Sequence, residues 1–505
     1  MNQRHPYPAV SGSAAPAAQP AGARRWNYAT IRNLLTAAVM AALGGCASAP
    51  DYHRPEVAMP AAWQSTLPFR AGTPGDATFK GAWWEVFGDE RLNQLQQQSQ
   101  SSNQNLAVAA ARLDQARAQA TISAAGLFPQ VGLQAGATRQ KTSADRPPAA
   151  PGAATPSVVQ NNYQAGFAVS YEADLFGRVR STAQAAAASA EQAAADFENV
   201  RLVISAELAA DYFNLRELDA EIDVLLQGLA LQLKAFDFIQ ARHELGAATG
   251  LDLAQQQSLL DASKTQLELL RTQRSQYEHA IATLTGTPAP SFRLEPAVVA
   301  LKPPSMPVGV PSDVLQRRPD VASAERAVAA ANANIGVARA AYFPSLILQA
   351  NGGWDAAQMS NLFSAPSILW SLGGALTQNL FDAGKTDATV AFAKAGYSGA
   401  VASYRQSVLT AMQEVEDGVE GLAQLDRAHA SAEASVRSSQ RVLDLANDRY
   451  AGGVETYFDV ITAQQTLLNN QRLAVQIRGK QMVSSVYLVK ALGGSWHAPA
   501  QVAAK

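Results

Sequence analysis

Three kinds of side chain in this sequence could do chemistry: one thiol, six imidazoles, and the carboxylates that follow paired breaks in two long helical stretches. Cys46 is the sole cysteine, so no intramolecular disulfide can form; a lone thiol is left to act as nucleophile, metal ligand or site of covalent modification. The histidines stand at 5, 53, 243, 279, 429 and 497, with no ligand spacing among them. A metal centre or an activated nucleophile therefore has no support, and neither has an enzyme or a bound cofactor. The carboxylates are Asp252 in "QARHELGAATGLDLAQQQ" (240–257), and Glu455 and Asp459 in "NDRYAGGVETYFDVITAQQ" (447–465). Gly246 and Gly250 interrupt the first stretch, Gly452 and Gly453 the second, which predicts two tight helix–turn–helix connections. An acid just past such a turn either caps the next helix or offers its charge to a cation.

The setting of Cys46 gives the thiol its chemistry. Arg24, Arg25 and Arg32 precede the apolar run "LLTAAVMAALGG" (34–45), which is too short to span a bilayer as a permanent helix. That is the pattern of an export signal, removed from the mature chain. "LGGC" (43–46) resembles the bacterial lipobox, in which cleavage leaves a lipid-modified cysteine at the new N-terminus. Ala47, rather than Asp, after the cysteine resembles lipoproteins sent to the outer membrane.

Charge says little about partners. The chain has 40 basic and 42 acidic residues, and removing the first 45 leaves a mildly acidic body of net −6. No basic run interleaved with aromatics points to nucleic acid.

The elements that position these residues are legible from proline and periodicity. No proline occurs between Pro156 and Pro288 or between Pro366 and Pro499. A proline inside a helix costs about 3 kcal/mol, so these spans can carry uninterrupted helices. Apolar residues recur at Ile204, Leu208, Tyr212, Leu215, Leu218, Ile222, Leu225, Leu229, Leu233, Phe236 and Ile239, a mean step near the coiled-coil period. A helix from about 178 to 245 would run ~100 Å at ~1.5 Å per residue, and a second such run spans about 386 to 450. Four other segments alternate with period two: 128–138, 163–171, 345–354 and 368–378. They predict two hairpins of membrane strands, apolar toward lipid and small or polar toward a lumen, with Phe128, Tyr163, Tyr171, Trp354 and Trp370 as interfacial aromatics. Four strands cannot close a barrel, and an open sheet edge cannot face hydrocarbon, so the chain must oligomerise.

The sequence repeats at an offset of 207. Arg242 falls on Arg449, Gly246 on Gly453, Asp252 on Asp459, Gln257 on Gln464 and Gly286 on Gly493. "DLFGR" (174–178) matches "NLFDAGK" (379–385), and "LFPQ" (127–130) matches "YFPS" (342–345). Two copies of one hairpin-plus-helix-pair unit make the protein. The expected division is a signal peptide (1–45), a lipidated segment wrapping the belt (46–89), a first repeat (90–286), a Pro-rich equatorial segment (287–319), a second repeat (320–493) and a tail (494–505).

This arrangement resembles the outer-membrane factor family, the TolC-like channels, and within it the OprM/NodT-type efflux lipoproteins. The matching residues include "WW" (83–84) before "FGDERLNQL", "NLAVAAARLDQARAQATISAAGLFPQVG" (105–132) and, most specific, "VLQRRPDVASAERAVAAANANIGVARAAYFPSLIL" (314–348). The resemblance implies an all-α plus membrane-β fold. In it a homotrimer forms one twelve-stranded β-barrel, four strands per protomer, continuous with a long α-helical barrel and a mixed equatorial belt. It implies a passive exit duct of a tripartite efflux system, working with a periplasmic adaptor (membrane fusion) protein and an inner-membrane RND transporter. The duct would be lipid-anchored in the outer membrane and extend into the periplasm. Two alternatives stay open: a type I protein-secretion channel, and a structural coiled-coil lipoprotein without a pore.

The resemblance also gives the two turns a role. They would lie at the periplasmic tip, where Gly246, Gly250, Gly452 and Gly453 face the adaptor and three-fold symmetry turns each acid into a ring. Tyr450 matches a tyrosine of the closed tip, and Asp459 the first acidic gate position. Thr462 stands where members commonly carry a second aspartate, and Glu455 where the pattern has a basic lock residue. The expected gate is therefore Asp459, Glu455, Tyr450 and Asp252. In the "RRPD" motif, Asp320 is expected to cap a helix, and Arg317 and Arg318 to make structural ion pairs.

Overall fold

A computed structural model describes residues 50–57, 60, 82–145, 155–304 and 317–494. The expectations for the signal peptide, Cys46, residues 305–316 and the tail beyond 494 lie outside the described residues. A short 3₁₀ turn, Trp83–Phe87, leads into α1 (Glu90–Ser102), α2 (Gln104–Ala125), β1 (Gln130–Lys141), β2 (Val159–Ala173), α3 (Arg178–Glu244) and α4 (Gly250–Leu284). The second half runs α5 (Pro319–Ala340), β3 (Ser345–Ala356), β4 (Ile368–Thr377), α6 (Lys385–Ala451) and α7 (Tyr457–Ala491). The proline-free spans hold the long helices. Both α3 and α6 have 67 residues, and both α4 and α7 have 35.

The four strands form one antiparallel sheet in sequence order. Directly opposed residues share a face, and the register sorts the two periodic sets. Val131 opposes Val169, Leu133 opposes Phe167, Ala135 opposes Ala165 and Ala137 opposes Tyr163. The same face continues through Ala165–Trp354 and Tyr171–Leu348, then Trp354–Ile368, Ala350–Leu372 and Leu346–Leu376. The other face carries Gln130 with Ser170, Ala168 with Asn351, Ser170 with Gln349, and Asn351 with Ser371. Two large apolar residues, Ile347 and Leu369, fall among these small and polar ones, because register rather than residue type fixes the face. The strands are longer than the alternation predicts: Thr138–Lys141 pairs with Val159–Asn162, so the first loop shrinks to 142–158. β1 and β4 are the edges of the sheet.

The first half of α3 packs on α2 and α5, its second half on α4 and α7, and α6 lies along α5 and α7. The widest core lies where α1 crosses the long helices, around Leu92, Leu95, Leu208, Tyr212, Leu215, Ile281, Val486 and Leu488. Each such aliphatic side chain contributes ~1.5–3 kcal/mol by leaving water. The 3.5-residue stripe of α3 is buried along most of its length, but Leu233 is 50% exposed, because neighbouring helices cover only part of that turn.

Two glycines hold this level together. Gly286 ends α4 at φ +69°, and a Cβ there would lie 2.3 Å from the Ser102 carbonyl oxygen. Gly493, its repeat partner after α7, has φ +89°, and a Cβ would lie 2.1 Å from the Arg317 carbonyl oxygen. Each repeat thus presses a helix end onto the turn that opens its α2 or α5. The exposed carbonyls are satisfied differently. Asn103 Nδ2 donates to the Leu284 carbonyl at 2.8 Å, whereas Arg318 Nη1 donates to Ala491 at 3.1 Å. Buried Arg318 also pairs with Asp320 and Glu414, as the sequence leads one to expect. Asp320 is not the cap: Arg318 holds the N-cap position of α5 without a side-chain cap bond, and Asp320 lies in the first turn, accepting from Val321 N at 2.9 Å.

Alongside, Asp219 on α3 takes Arg216 at 2.8 Å and Arg274 of α4 at 2.6 Å. Arg274 reaches the Leu294 carbonyl at 2.5 Å, and Glu278 accepts from Leu294 N at 2.6 Å. This ion-pair network clamps the extended segment after α4 against the helices.

Candidate functional site

The α3–α4 and α6–α7 turns have the same backbone. Gly246 N–H donates to the His243 carbonyl and Ala247 N–H to Arg242; Gly453 N–H donates to Tyr450 and Val454 N–H to Arg449. This bond pattern closes a helix through one left-handed residue. Gly246 is that residue at φ +72° and Gly453 at φ +71°. Gly250 and Gly452 are not: Gly250 is the first residue of α4, and Gly452 has φ −75°. Thr249 and Thr456 precede the outgoing helices at φ −84° and ψ 157°, identical in both turns.

The side chains diverge. Asp252 closes a complete capping box. It accepts from Thr249 N at 2.9 Å and Thr249 Oγ1 at 2.8 Å, while Thr249 Oγ1 accepts from Asp252 N at 3.2 Å. Among the described residues Asp459 accepts only the Thr456 hydroxyl, at 2.8 Å, and Thr456 makes no side-chain cap bond. Glu455 pairs with Arg449 of its own turn at 2.8 Å, while the equivalent of Glu455 in the first repeat is Ala248. Thr462 donates to the Phe458 carbonyl and turns its hydroxyl into its own helix.

Tyr457 and Gln256, which sequence reasoning missed, join the hairpins to each other together with Arg242 and Tyr450. The Arg242 guanidinium lies 5.1 Å from the centre of the Tyr450 ring, and Tyr450 packs on Tyr457 at 5.1 Å. Tyr457 donates a buried hydrogen bond of 3.0 Å to Gln256 Oε1, and Gln256 Nε2 donates to the Gln232 carbonyl. Burial, then the nearby Tyr450 and Asp252, push the Tyr457 hydroxyl up to about 12, so it stays a donor. The repeat alignment flags Arg242, but the contact joins positions that are not repeat equivalents, and no offset could show it. Beyond this bolt the turns expose apolar side chains, Leu245 and Leu251 in one and Val454 and Phe458 in the other.

The sheet is the second part of the site. Its apolar face is open, with Leu133, Phe167, Trp370, Leu372 and Leu376 exposed. Among the described residues no helix is long and apolar enough to cross a membrane. Fifteen residues or fewer of alternating strand suffice to cross it, as β1 to β4 can.

Comparison with known proteins settles what an outward-apolar sheet on two duplicated long-helix pairs belongs to. The family model described as outer membrane efflux protein matches residues 95–287 and 310–494. The chain belongs to the outer membrane efflux protein family. Among curated relatives, the pyoverdine export outer membrane protein OpmQ of Pseudomonas aeruginosa is 32% identical over 473 residues, covering 94% of this chain and 98% of its own. The probable efflux pump outer membrane protein TtgC of Pseudomonas putida is 33% identical, covering 92% and 96%. Among solved structures, the outer-membrane channel OprN superposes with a TM-score of 0.81 at 29% identity, covering 90% of this chain and all of that one. The open state of the Neisseria gonorrhoeae MtrE channel gives 0.78 at 26% identity, with 90% and 100% coverage. The protein is accordingly an outer-membrane efflux channel, a passive duct and not an enzyme, and the outer-membrane component of an efflux system. Cys46 lies outside the described residues.

Proposed function

We propose that three copies of the chain close into a twelve-stranded barrel and a continuous helical duct, through which small solutes leave the cell. The observation that carries this reading is the sheet, with one apolar face and edges at β1 and β4. The flanks agree. α2 and α4 pack mainly on α3, and α6 on α5 and α7, so the helical layer too has an open flank on each side for a neighbouring copy. Two copies would give eight strands, a barrel that its own side chains fill. Three leave a lumen, lined here by Gln, Ser, Asn and Gly. Helices of 67 residues carry that lumen ~100 Å at ~1.5 Å per residue, where a periplasmic adaptor and an inner-membrane RND transporter would engage it. The relatives' names speak of pyoverdine and efflux pumps; for this chain we infer drug-sized solutes chosen by the transporter.

The turns form the periplasmic gate and adaptor face. Asp459, Glu455, Tyr450 and Asp252 ring the closed tip, with Asp459 the acid least engaged by its own turn. Lipid on Cys46 anchors the duct. The segment that follows it is strapped to α5 and α6: Tyr52 bonds Glu325, Arg54 donates to the Tyr404 hydroxyl at 3.0 Å, and Asn332 donates to the Pro50 carbonyl at 2.8 Å. From Glu325 to Asn332 the strap climbs α5 toward the sheet, and Cys46 lies four residues before Pro50 in the sequence. The chain would divide as its repeats do, 90–286 and 320–493 about an equatorial segment at 287–319. Reconstitution in planar bilayers tests the duct: trimers of the purified chain give discrete channel currents, and silence from assembled trimers overturns it. Palmitate labelling tests the anchor, being lost in Cys46→Ser; a variant that keeps the label refutes it.

A further inference from the structure

The charged side chains of the strands are Arg139, Lys141, Glu172 and Asp355, and the register sorts them by sign. Arg139 opposes Asn161 and Lys141 opposes Val159, on the face that carries Val131, Leu133, Phe167 and Tyr163. Glu172 opposes Ile347 and Asp355 opposes Gln164, both on the opposite face. Both cations are therefore on the lipid side and both anions on the lumen side.

Their height matters as much as their face. Tyr171 lies one residue past the Gln130–Ser170 pair, so Arg139 stands ten residues farther along β1 than the Tyr171 row. At ~3.4 Å per residue and a tilt of ~40°, that is a rise of ~26 Å, the height of the apolar band of an outer-membrane barrel. Lys141 stands ~5 Å higher by the same geometry. The helices leave the sheet at the Tyr171 end, so the cations sit at the far, outer rim. Arg139 and Lys141 make no ion pair with a described residue, and the nearest acid along the chain, Asp145, lies in the loop beyond the strand.

We propose that Arg139 and Lys141 of each protomer bind the phosphates of anionic lipid headgroups in the outer leaflet, fixing the barrel's height by an ionic collar as well as by its apolar band. The proposal rests on the barrel reading above. A guanidinium meets a phosphate through two parallel N–H donors, and a neighbouring ammonium adds a point charge. Facing outward at the boundary, neither can be satisfied from the lumen.

The test uses full-length trimer in a neutral detergent, titrated with bisphosphorylated lipid A, dephosphorylated lipid A or inorganic phosphate. Bisphosphorylated lipid A is expected to raise Tm by several degrees, and the other two to leave it unchanged. Arg139→Gln with Lys141→Gln should lose most of that rise while keeping the Tm measured without lipid. An equal rise in the double variant, or with dephosphorylated lipid, overturns the site, and an equal rise with free phosphate shows an anion site without lipid preference and overturns it too. Quenching of Trp354 and Trp370 by brominated phosphatidylcholine reports separately whether the apolar face meets hydrocarbon. Quenching without a lipid A effect removes this proposal alone, whereas no quenching removes the barrel as well.

Discussion

The turn at 245–249 and the turn at 452–456 share a backbone and almost none of its side-chain duties. Their left-handed glycines differ by one degree in φ and their threonine caps not at all. Yet the first turn spends its acid on a full capping box, while the second leaves Asp459 with one hydroxyl partner and adds the Arg449–Glu455 pair and two tyrosines. Duplication preserved what the chain needs to reverse direction. What varies between the copies is what faces the neighbouring helix or the opening. One hairpin is a capped, self-sufficient bracket, and the other is bolted to it through Arg242, Tyr457 and Gln256.

The glycines give the sharpest way to break this symmetry of backbone. Gly286→Ala and Gly493→Ala should both abolish a stable trimer, at a cost above ~3 kcal/mol each, since a Cβ would overlap a backbone carbonyl. Gly246→Ala and Gly453→Ala should cost only ~1–2 kcal/mol, the price of a left-handed alanine with nothing within 4 Å of its Cβ. Thermal melts of the four variants check the split, and a Gly453→Ala as damaging as Gly493→Ala would show that the turn is held by more than its backbone.

A pH effect should separate the repeats next. Glu217 of α3 packs against Gly479 of α7, where a Cβ would come within 2.2 Å of its Cγ. Burial first, then the charge and hydrogen bond of Glu221, push its carboxyl up to about 7. Arg472 and Lys480 of α7 oppose that rise, and Arg472 binds Glu221 at 2.7 Å. A carboxyl raised in the folded state stabilises fully below its unfolded value near 4.5, and that contribution is lost as pH climbs through about 7. Asp211, raised to about 6 by burial and Glu207, acts with the same sign. The second repeat has Gln424 and Ala428 in place of Glu217 and Glu221. Stability should therefore fall from pH 5 to 7.5 by up to ~1.4 kcal/mol per pH unit for each proton released. Glu217→Gln, which copies the second repeat, should flatten most of that slope in melts across this range; an unchanged slope would place the titration elsewhere.

The smallest effects should distinguish the two acids. Asp252→Asn should cost ~1 kcal/mol through the capping box, and Asp459→Asn only a few tenths. The ranking for current should be the reverse: Asp459→Asn raises conductance or weakens block by divalent cations, and Asp252→Asn changes both less. Single-channel records with and without magnesium decide it, and equal responses would remove the asymmetry.

Much of the fold was legible because its signals are strong and local. Proline-free spans gave α3 and α6 to within a residue or two, and alternation located all four strands. It stopped short at Arg139–Lys141 and Val159–Asn162, where mostly polar residues continue the pairing because the ladder needs only backbone groups. Asp320 looked like a cap because Asp favours that position, but proline at the first helical position moved the boundary back to Arg318. Gly250 and Gly452 looked equal to Gly246 and Gly453 since composition does not reveal φ. At the tip, the glycines and acids could be read from the repeat. The Arg242–Tyr450 and Tyr457–Gln256 contacts could not, because they depend on how one hairpin lies against the other.

In the proposed duct, the tight junctions at Gly286 and Gly493 would make the equator a fulcrum. From there α4 and α7 each extend 35 residues to the tip, a lever arm of ~52 Å at ~1.5 Å per residue. A pivot of only ~10° at such a junction sweeps the far end through ~9 Å on that arm. The helices need not unwind or exchange hydrogen bonds to do it. An aperture worked this way would need little from the tip itself beyond release of the bolt, and two glycines half the molecule away would set its travel.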